Sequence, residues 1–165
     1  MLAACAFWVH GEPPLLLDMR AHRDYDHVVA LYRRHGRWGC ISKTNGAVLR
    51  SRDPVYRTLR ELAMSYFHEY ANRADHKTLR EFSIPFDLRR VDTKVWVSGT
   101  KMAWEVAEAL DDLKHYKLMG TRSLRLVTRR DPLERRAGKL LQFARPRALV
   151  EKLRAMKQKR QKKSF

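Results

Sequence analysis

Short hydrophobic segments alternate with polar turns over the first 45 residues of the chain. The segment Leu2–Val9 is apolar at almost every position and stops just before Gly11, a pattern typical of the end of a helix. Residues 15–19 form a short apolar run that predicts a buried strand. Residues 26–34 and 37–43 predict two more strands. The beginning of the chain therefore predicts a helix followed by three strands.

The second and third of these strands are expected to form a β-hairpin. A two-residue turn at positions 35–36 sets the register, because it pairs Leu31 with Cys40. Side chains two residues apart share one face of a strand. His27 is then diagonal to Ser42, at about 7–8 Å between backbones, which is within reach of a side-chain hydrogen bond.

The rest of the chain predicts helices with a little additional strand. Residues 53–54, Asp-Pro, are expected to cap and begin a helix. Residues 95–97 predict a short strand, and residues 102–113 predict a second amphipathic helix. The helix that begins at residues 53–54 is expected to turn one hydrophobic stripe toward the core, formed by Val55, Leu59, Leu62, Tyr66 and Tyr70. The predicted class is α+β, with a small antiparallel sheet and a central hairpin packed against helices.

The composition indicates a single folded domain with a basic tail. The chain has 165 residues, of which 44% are hydrophobic, and a net charge of +17. We expect one domain over residues 1–144 and a basic, helical or disordered tail over residues 145–165. Two cysteines are too few for a disulfide framework, and residues 1–9 lack the basic start of a signal peptide. These features predict a cytoplasmic protein without a transmembrane segment.

The tail carries a large share of the excess charge. Residues 145–165 contain nine Lys or Arg and one acidic residue, a net charge of +8. The functional interpretation is contact with the phosphates of a nucleic acid or with another anionic surface, and the alternative is a solvated tail that keeps the protein soluble. The predicted anion-binding residues are Arg154, Lys157, Lys159, Arg160, Lys162 and Lys163.

No metal or cofactor is predicted from the motifs. Zinc-finger spacing and a glycine-rich phosphate loop are both absent from the sequence. His68 and Glu69 begin a pattern found in metalloproteases, but position 72 is Asn72 instead of a second histidine.

His27 is the residue with the strongest catalytic pattern. A strand histidine with a polar partner on the next strand is the base and orienting half of a nucleophilic triad. The alternative is a structural histidine that only forms a hydrogen bond across the hairpin. The residues alone leave both interpretations open.

Four segments of the first 45 residues resemble the transglutaminase-like superfamily of papain-like thiol enzymes. They are GEPPLLLD at 11–18, DHVVAL at 26–31, GRW at 36–38 and SKT at 42–44. In that superfamily a helix carries the nucleophilic cysteine, a following strand carries the histidine, and the next strand ends near the aspartate. The resemblance implies that His27 is the base, and His27 is the only catalytic position that matches.

The chain departs from the family at two positions. The aspartate falls on Ser42, and Asn45 is the alternative orienting residue, since papain-like triads can use asparagine. The nucleophile has no clear match. Cys5 lies near the end of its predicted helix, where the helix dipole raises a thiol pKa, and Cys40 lies on the hairpin. Both cysteines are weak candidates and are expected to be buried hydrophobic residues.

The resemblance implies an ancestral thiol hydrolase or acyl-transfer activity on a peptide or amide substrate. The matching start of the nucleophile helix would lie before Met1, so we expect a domain that is incomplete at its N-terminus and inactive alone. A basic binding module for nucleic acid or anionic surfaces is the alternative function.

Overall fold

The computed structural model of the protein describes residues 1–99 and 102–143. Within them the chain alternates short strands with short helices. The strands are β1 (Leu15–Ala21), β2 (His27–Arg34), β3 (Arg37–Ile41), β4 (Arg52–Tyr56), β5 (Leu79–Ser83), β6 (Phe86–Asp87) and β7 (His115–Lys117). The helices are α1 (Leu2–Val9), α2 (Leu59–Met64), α3 (Thr93–Trp96), α4 (Trp104–Asp111), α5 (Thr121–Leu124) and α6 (Pro132–Ala137). Short 3-10 turns lie at Ala47–Leu49 and Leu88–Arg90.

The strands form one antiparallel sheet around the β2–β3 hairpin. Its order is β4-β3-β2-β1-β5-β7, and β6 also pairs with β1. Strand β1 therefore lies between β2 on one side and the successive strands β5 and β6 on the other. The predicted α+β class, with a small antiparallel sheet and a central hairpin, is confirmed.

Each face of the sheet is covered by its own hydrophobic core. Leu17 and Leu31 point to the face packed against α2, together with Tyr66. Leu16 and Ala30 point to the opposite face, which packs against α1 and α4. This alternation follows from the period of two along a strand, and it decides which functional side chains can meet.

The predicted hairpin is confirmed in detail. His35 and Gly36 both have positive φ angles, 47° and 76°, as a two-residue type I′ turn requires. Leu31 pairs with Cys40 as expected, and the ladder ends one pair further on. Helix α1 also ends as predicted, since Gly11 has a φ of 81° that favours glycine.

The helix predicted at residues 53–54 is wrong. These residues lie in the edge strand β4, which pairs with β3 and leaves Val55 exposed. The helix begins later, at Leu59, where Thr58 accepts from the Glu61 backbone N–H in a capping box. An Asp-Pro pair suits an edge strand because proline needs no ladder partner there.

The strand predicted at residues 95–97 is also wrong. Val95 and Trp96 belong to α3, and Val97 is its C-cap; the helix begins where the Asp92 side chain accepts from the Lys94 backbone N–H. The predicted helix at 102–113 is present as the shorter α4. The basic tail, residues 145–165, lies outside the described residues.

Candidate functional site

His27 and Ser42 contact each other, as the hairpin register predicts. The Nε2 atom of His27 lies 3.3 Å from Oγ of Ser42, and both residues are buried. His27 is the first residue of β2, and Ser42 follows the last residue of β3. The hairpin thus positions both side chains on the α2 side of the sheet.

Aromatic rings enclose the His27 imidazole. The ring centroids of Tyr66 and Tyr70 lie 5.3 and 5.7 Å from that of His27. Burial lowers the pKa of His27 to about 4, against the opposing effect of a hydrogen bond with the Leu49 backbone, and the nearby Arg52 cation lowers it further. The imidazole is therefore neutral at physiological pH.

Asn45, the other predicted orienting residue, has a different partner. Its Nδ2 donates to the Phe143 carbonyl at 3.1 Å, and its Oδ1 accepts from the Phe143 N–H at 2.9 Å. The amide thus binds both backbone groups of one residue. The structure brings Ser42 to His27 and places Asn45 where it holds the chain next to the basic tail.

Cys40 has the environment of a structural cysteine. Its side chain is fully buried, and its Sγ lies 3.1 Å from the hydroxyl of Tyr66. Because that hydroxyl donates to the Arg50 carbonyl at 2.8 Å, it accepts from the Cys40 thiol. Burial raises the pKa of Cys40, whereas an activated nucleophile needs a lowered one.

Cys5 lies on the other side of the sheet from His27. It belongs to α1, whose residues pack against Leu16 and Ala30. His27 projects to the opposite face, beside Tyr66. A thiol on this helix is therefore separated from the imidazole by the sheet itself.

A second buried histidine, which the sequence analysis missed, is paired with a carboxylate. Nε2 of His115 lies 3.0 Å from Oδ2 of Asp18, and both side chains are only 3% exposed. Nδ1 of His115 lies 2.8 Å from the Leu113 carbonyl. Because a carbonyl only accepts, Nδ1 carries a proton, and one further proton is shared between Nε2 and Oδ2.

The surroundings of Asp18 shift its carboxyl group toward the protonated form. Burial raises the pKa of Asp18, although the hydrogen bond from His115 opposes this effect. Carboxylate oxygens of Asp18, Asp26 and Asp111 lie within 4.8 Å of one another, which adds repulsion between negative charges. Ser83 Oγ accepts from the Asp18 backbone N–H at 3.0 Å. Both nitrogens of His115 are engaged elsewhere, so these residues do not form a serine triad.

Three arginines, Arg33, Arg34 and Arg37, lie at the turn end of the β2–β3 hairpin. The guanidinium of Arg33 lies 5.2 Å from the ring centroid of Trp38, and that of Arg34 lies 5.4 Å from Tyr32. Arg34 also forms an ion pair with Glu12 at 2.5 Å. The six cations that the sequence analysis assigned to anion binding lie in the tail and so outside the described residues.

Comparisons with known proteins give no family assignment. No protein-family model matches the chain. A search of curated proteins likewise finds no significant match. Of the helices within residues 1–99 and 102–143, none has the length and apolar content needed to span a membrane.

Proposed function

We propose that the protein binds single-stranded nucleic acid, and that its transglutaminase-like domain serves as a scaffold without thiol chemistry. The state of both cysteines supports the second part of this proposal. Cys40 donates to Tyr66 and Cys5 lies across the sheet, so neither thiol is next to His27. A neutral, enclosed His27 fits a structural role in the hairpin.

The arrangement of arginines and aromatic rings at the hairpin end carries the binding proposal. We call the turn end of the hairpin the hairpin end. Tyr32, Arg34 and Arg37 lie on one face of it, and Arg33 and Trp38 lie on the other. Within the described ranges, neither Arg33 nor Arg37 has a carboxylate within 4 Å. Cations beside aromatic rings suit a single strand, whose phosphates and unstacked bases are both accessible.

The point where the basic tail begins provides the second support. Asn45 holds Phe143 through two hydrogen bonds, and the tail with its net charge of +8 follows shortly after. Strand β3 runs from the hairpin end toward Asn45. A strand of nucleic acid that follows β3 would contact the arginines of the hairpin end first and then reach the Asn45–Phe143 contact, after which the tail begins in the sequence.

Salt-dependent binding tests the proposal. Fluorescence anisotropy with a labelled 20-nucleotide single-stranded RNA gives the dissociation constant from 50 to 300 mM KCl. The variant that we call tail-neutral carries R154Q, K157Q, K159Q, R160Q, K162Q and K163Q, which lowers the net charge of residues 145–165 from +8 to +2. We expect the salt slope to become shallower by about four in this variant, since each contact on a single strand contributes about 0.7.

Two controls make the result specific. A swapped variant that exchanges Lys and Arg at the same six positions keeps the charge and is expected to keep the slope. R33Q/R37Q should weaken binding, whereas R73Q/R129Q, which removes two exposed arginines elsewhere, should change it little. Equal binding by wild type and the tail-neutral variant, or tighter binding to anionic phospholipid vesicles than to RNA, would contradict the proposal.

A further inference from the structure

A cleft of about 340 Å³ opens at the side of the sheet away from the hairpin end. Its polar lining comes from Arg20, His22, Arg80, Glu81 and Lys117. Its apolar lining comes from Ala21, Met119 and Leu124. We call this feature the basic cleft. Its volume lies within the range of pockets that hold small ligands, about 300–1,000 Å³.

The sheet register concentrates cations at this cleft. Arg20 pairs with Glu81 across β1 and β5, and Glu81 pairs with Lys117 across β5 and β7, so these three side chains are neighbours. The register shifts directly after Arg20. Arg20 pairs with Glu81 but Ala21 pairs with Leu79, so Arg80 is an extra residue that forms a bulge in β5. A bulge re-aims a side chain, and here it brings Arg80 to the same opening as Arg20.

The cations of the basic cleft lack carboxylate partners. Within residues 1–99 and 102–143, no carboxylate oxygen lies within 4 Å of the charged groups of Arg20, Arg80 or Lys117. Arg80 donates to the carbonyls of Lys77 and Leu79, which fixes its position and leaves its charge uncompensated. Burial lowers the pKa of Arg80, in keeping with a cation that has lost part of its water. Among the residues that line the cleft, Arg20, Arg80 and Lys117 carry positive charge and only Glu81 carries a carboxylate, so the lining is net positive.

We infer that the basic cleft binds a phosphate monoester of nucleotide size, independently of the tail. The phosphate would lie between Arg80 and Lys117, which offer N–H donors from two strands. The apolar part of the ligand would rest against Met119 and Leu124. Glu81 disfavours a second negative group at the same point, so a monophosphate fits better than a polyphosphate.

Titration of the full-length protein with AMP, adenosine and inorganic phosphate tests this inference, with calorimetry as the readout. We expect saturable binding of AMP, and weaker binding of adenosine and of phosphate alone. K117Q should bind AMP about tenfold less tightly, since one charged hydrogen bond is lost. R80Q should weaken AMP binding to a similar extent. Lys117 is exposed, so K117Q tests the inference even if R80Q disturbs the fold.

A gain of affinity gives the sharper test. E81Q removes the carboxylate from the cleft, so AMP should bind several-fold more tightly, an effect that general destabilisation cannot produce. R73Q is the matched control and should bind AMP like the wild type. The tail-neutral variant should also bind AMP normally, which separates this site from nucleic-acid binding. Absence of AMP binding, equal affinity for phosphate and AMP, or an unchanged affinity in both K117Q and E81Q would overturn the inference.

Discussion

Oγ of Ser42 lies 3.3 Å from Nε2 of His27, although the ladder between their strands has already ended at the pair Ala30–Ile41. The contact is thus made by side chains just beyond the hydrogen-bonded part of the hairpin. It ties the open end of the hairpin together, where backbone pairing no longer does so. The contact between His27 and Ser42 can therefore stabilise the hairpin without a nucleophile beside it.

The stability of the protein should depend on pH through His27. Its pKa is about 4 in the folded state, against about 6.5 in the unfolded chain. As the pH falls from 6.5 to 4, only the unfolded histidine takes up a proton, so the free energy of unfolding decreases. The full decrease is about 3 kcal/mol, most of it falls between pH 6.5 and 4, and it is complete only below the folded pKa of about 4.

Urea unfolding at pH 7.0, 5.5 and 4.5 measures this dependence. The H27Q variant lacks the titrating group and should lose less stability over the same range. The raised pKa of Asp18 acts in the opposite direction, since its contribution is lost as the pH rises through the folded pKa. The difference between wild type and H27Q therefore isolates His27. Parallel curves for the two proteins would contradict the prediction.

D18N and D18A should have different effects on the free energy of unfolding, because Asp18 is hydrogen-bonded to the buried His115. Because Nδ1 of His115 donates to the Leu113 carbonyl, its Nε2 depends on residue 18 for a hydrogen-bond partner. Asparagine supplies an N–H there, so D18N is expected to be tolerated. D18A leaves Nε2 buried without a partner and should lower the free energy of unfolding by about 1–3 kcal/mol. Chemical denaturation at pH 7 compares the two variants, and equal losses in both would argue against this proton arrangement.

The two cysteines should differ in their rates of alkylation in the folded protein, because only Cys40 is fully buried. Cys40 is fully buried and donates to Tyr66, so it should react with iodoacetamide only after unfolding. Cys5 is half-buried on α1 and should react with iodoacetamide in the folded protein, faster than Cys40. Peptide mapping after timed alkylation from pH 6 to 9 separates the sites. Fast reaction of Cys40 well below pH 8 would restore the thiol-enzyme interpretation.

The turn and the register of the hairpin could be predicted from the sequence, because residues close together in the chain determine them. The turn at His35 and Gly36 follows from the side chains that tolerate positive φ, and it fixes the register and hence the contact of His27 with Ser42. Alternation along the strands then predicts that Cys40 and His27 share a face. These steps depend on residues close together in the chain.

Contacts between distant residues could not be predicted in this way. His115 and Asp18 are 97 positions apart, and Asn45 and Phe143 are 98 apart. Their pairing depends on the order of strands in the sheet, which no local pattern sets. The strand at Asp53 was missed for a related reason, because the free edge of β3 outweighs the helix-starting preference of Asp-Pro.

Replacing Arg52 by lysine should lower the stability of the protein. Its guanidinium stacks on the Tyr66 ring at 4.0 Å, pairs with Glu69, and donates to several backbone carbonyls near residues 48–51. A planar group with five N–H donors can satisfy these partners together, whereas an ammonium cannot. R52K is therefore expected to lower the free energy of unfolding by about 2 kcal/mol although the charge is kept. R57K, at an exposed position on the same edge of the sheet, is the matched control and should be neutral. Thermal and urea unfolding measure both variants, and an R52K protein as stable as R57K would mean that charge alone matters at this position.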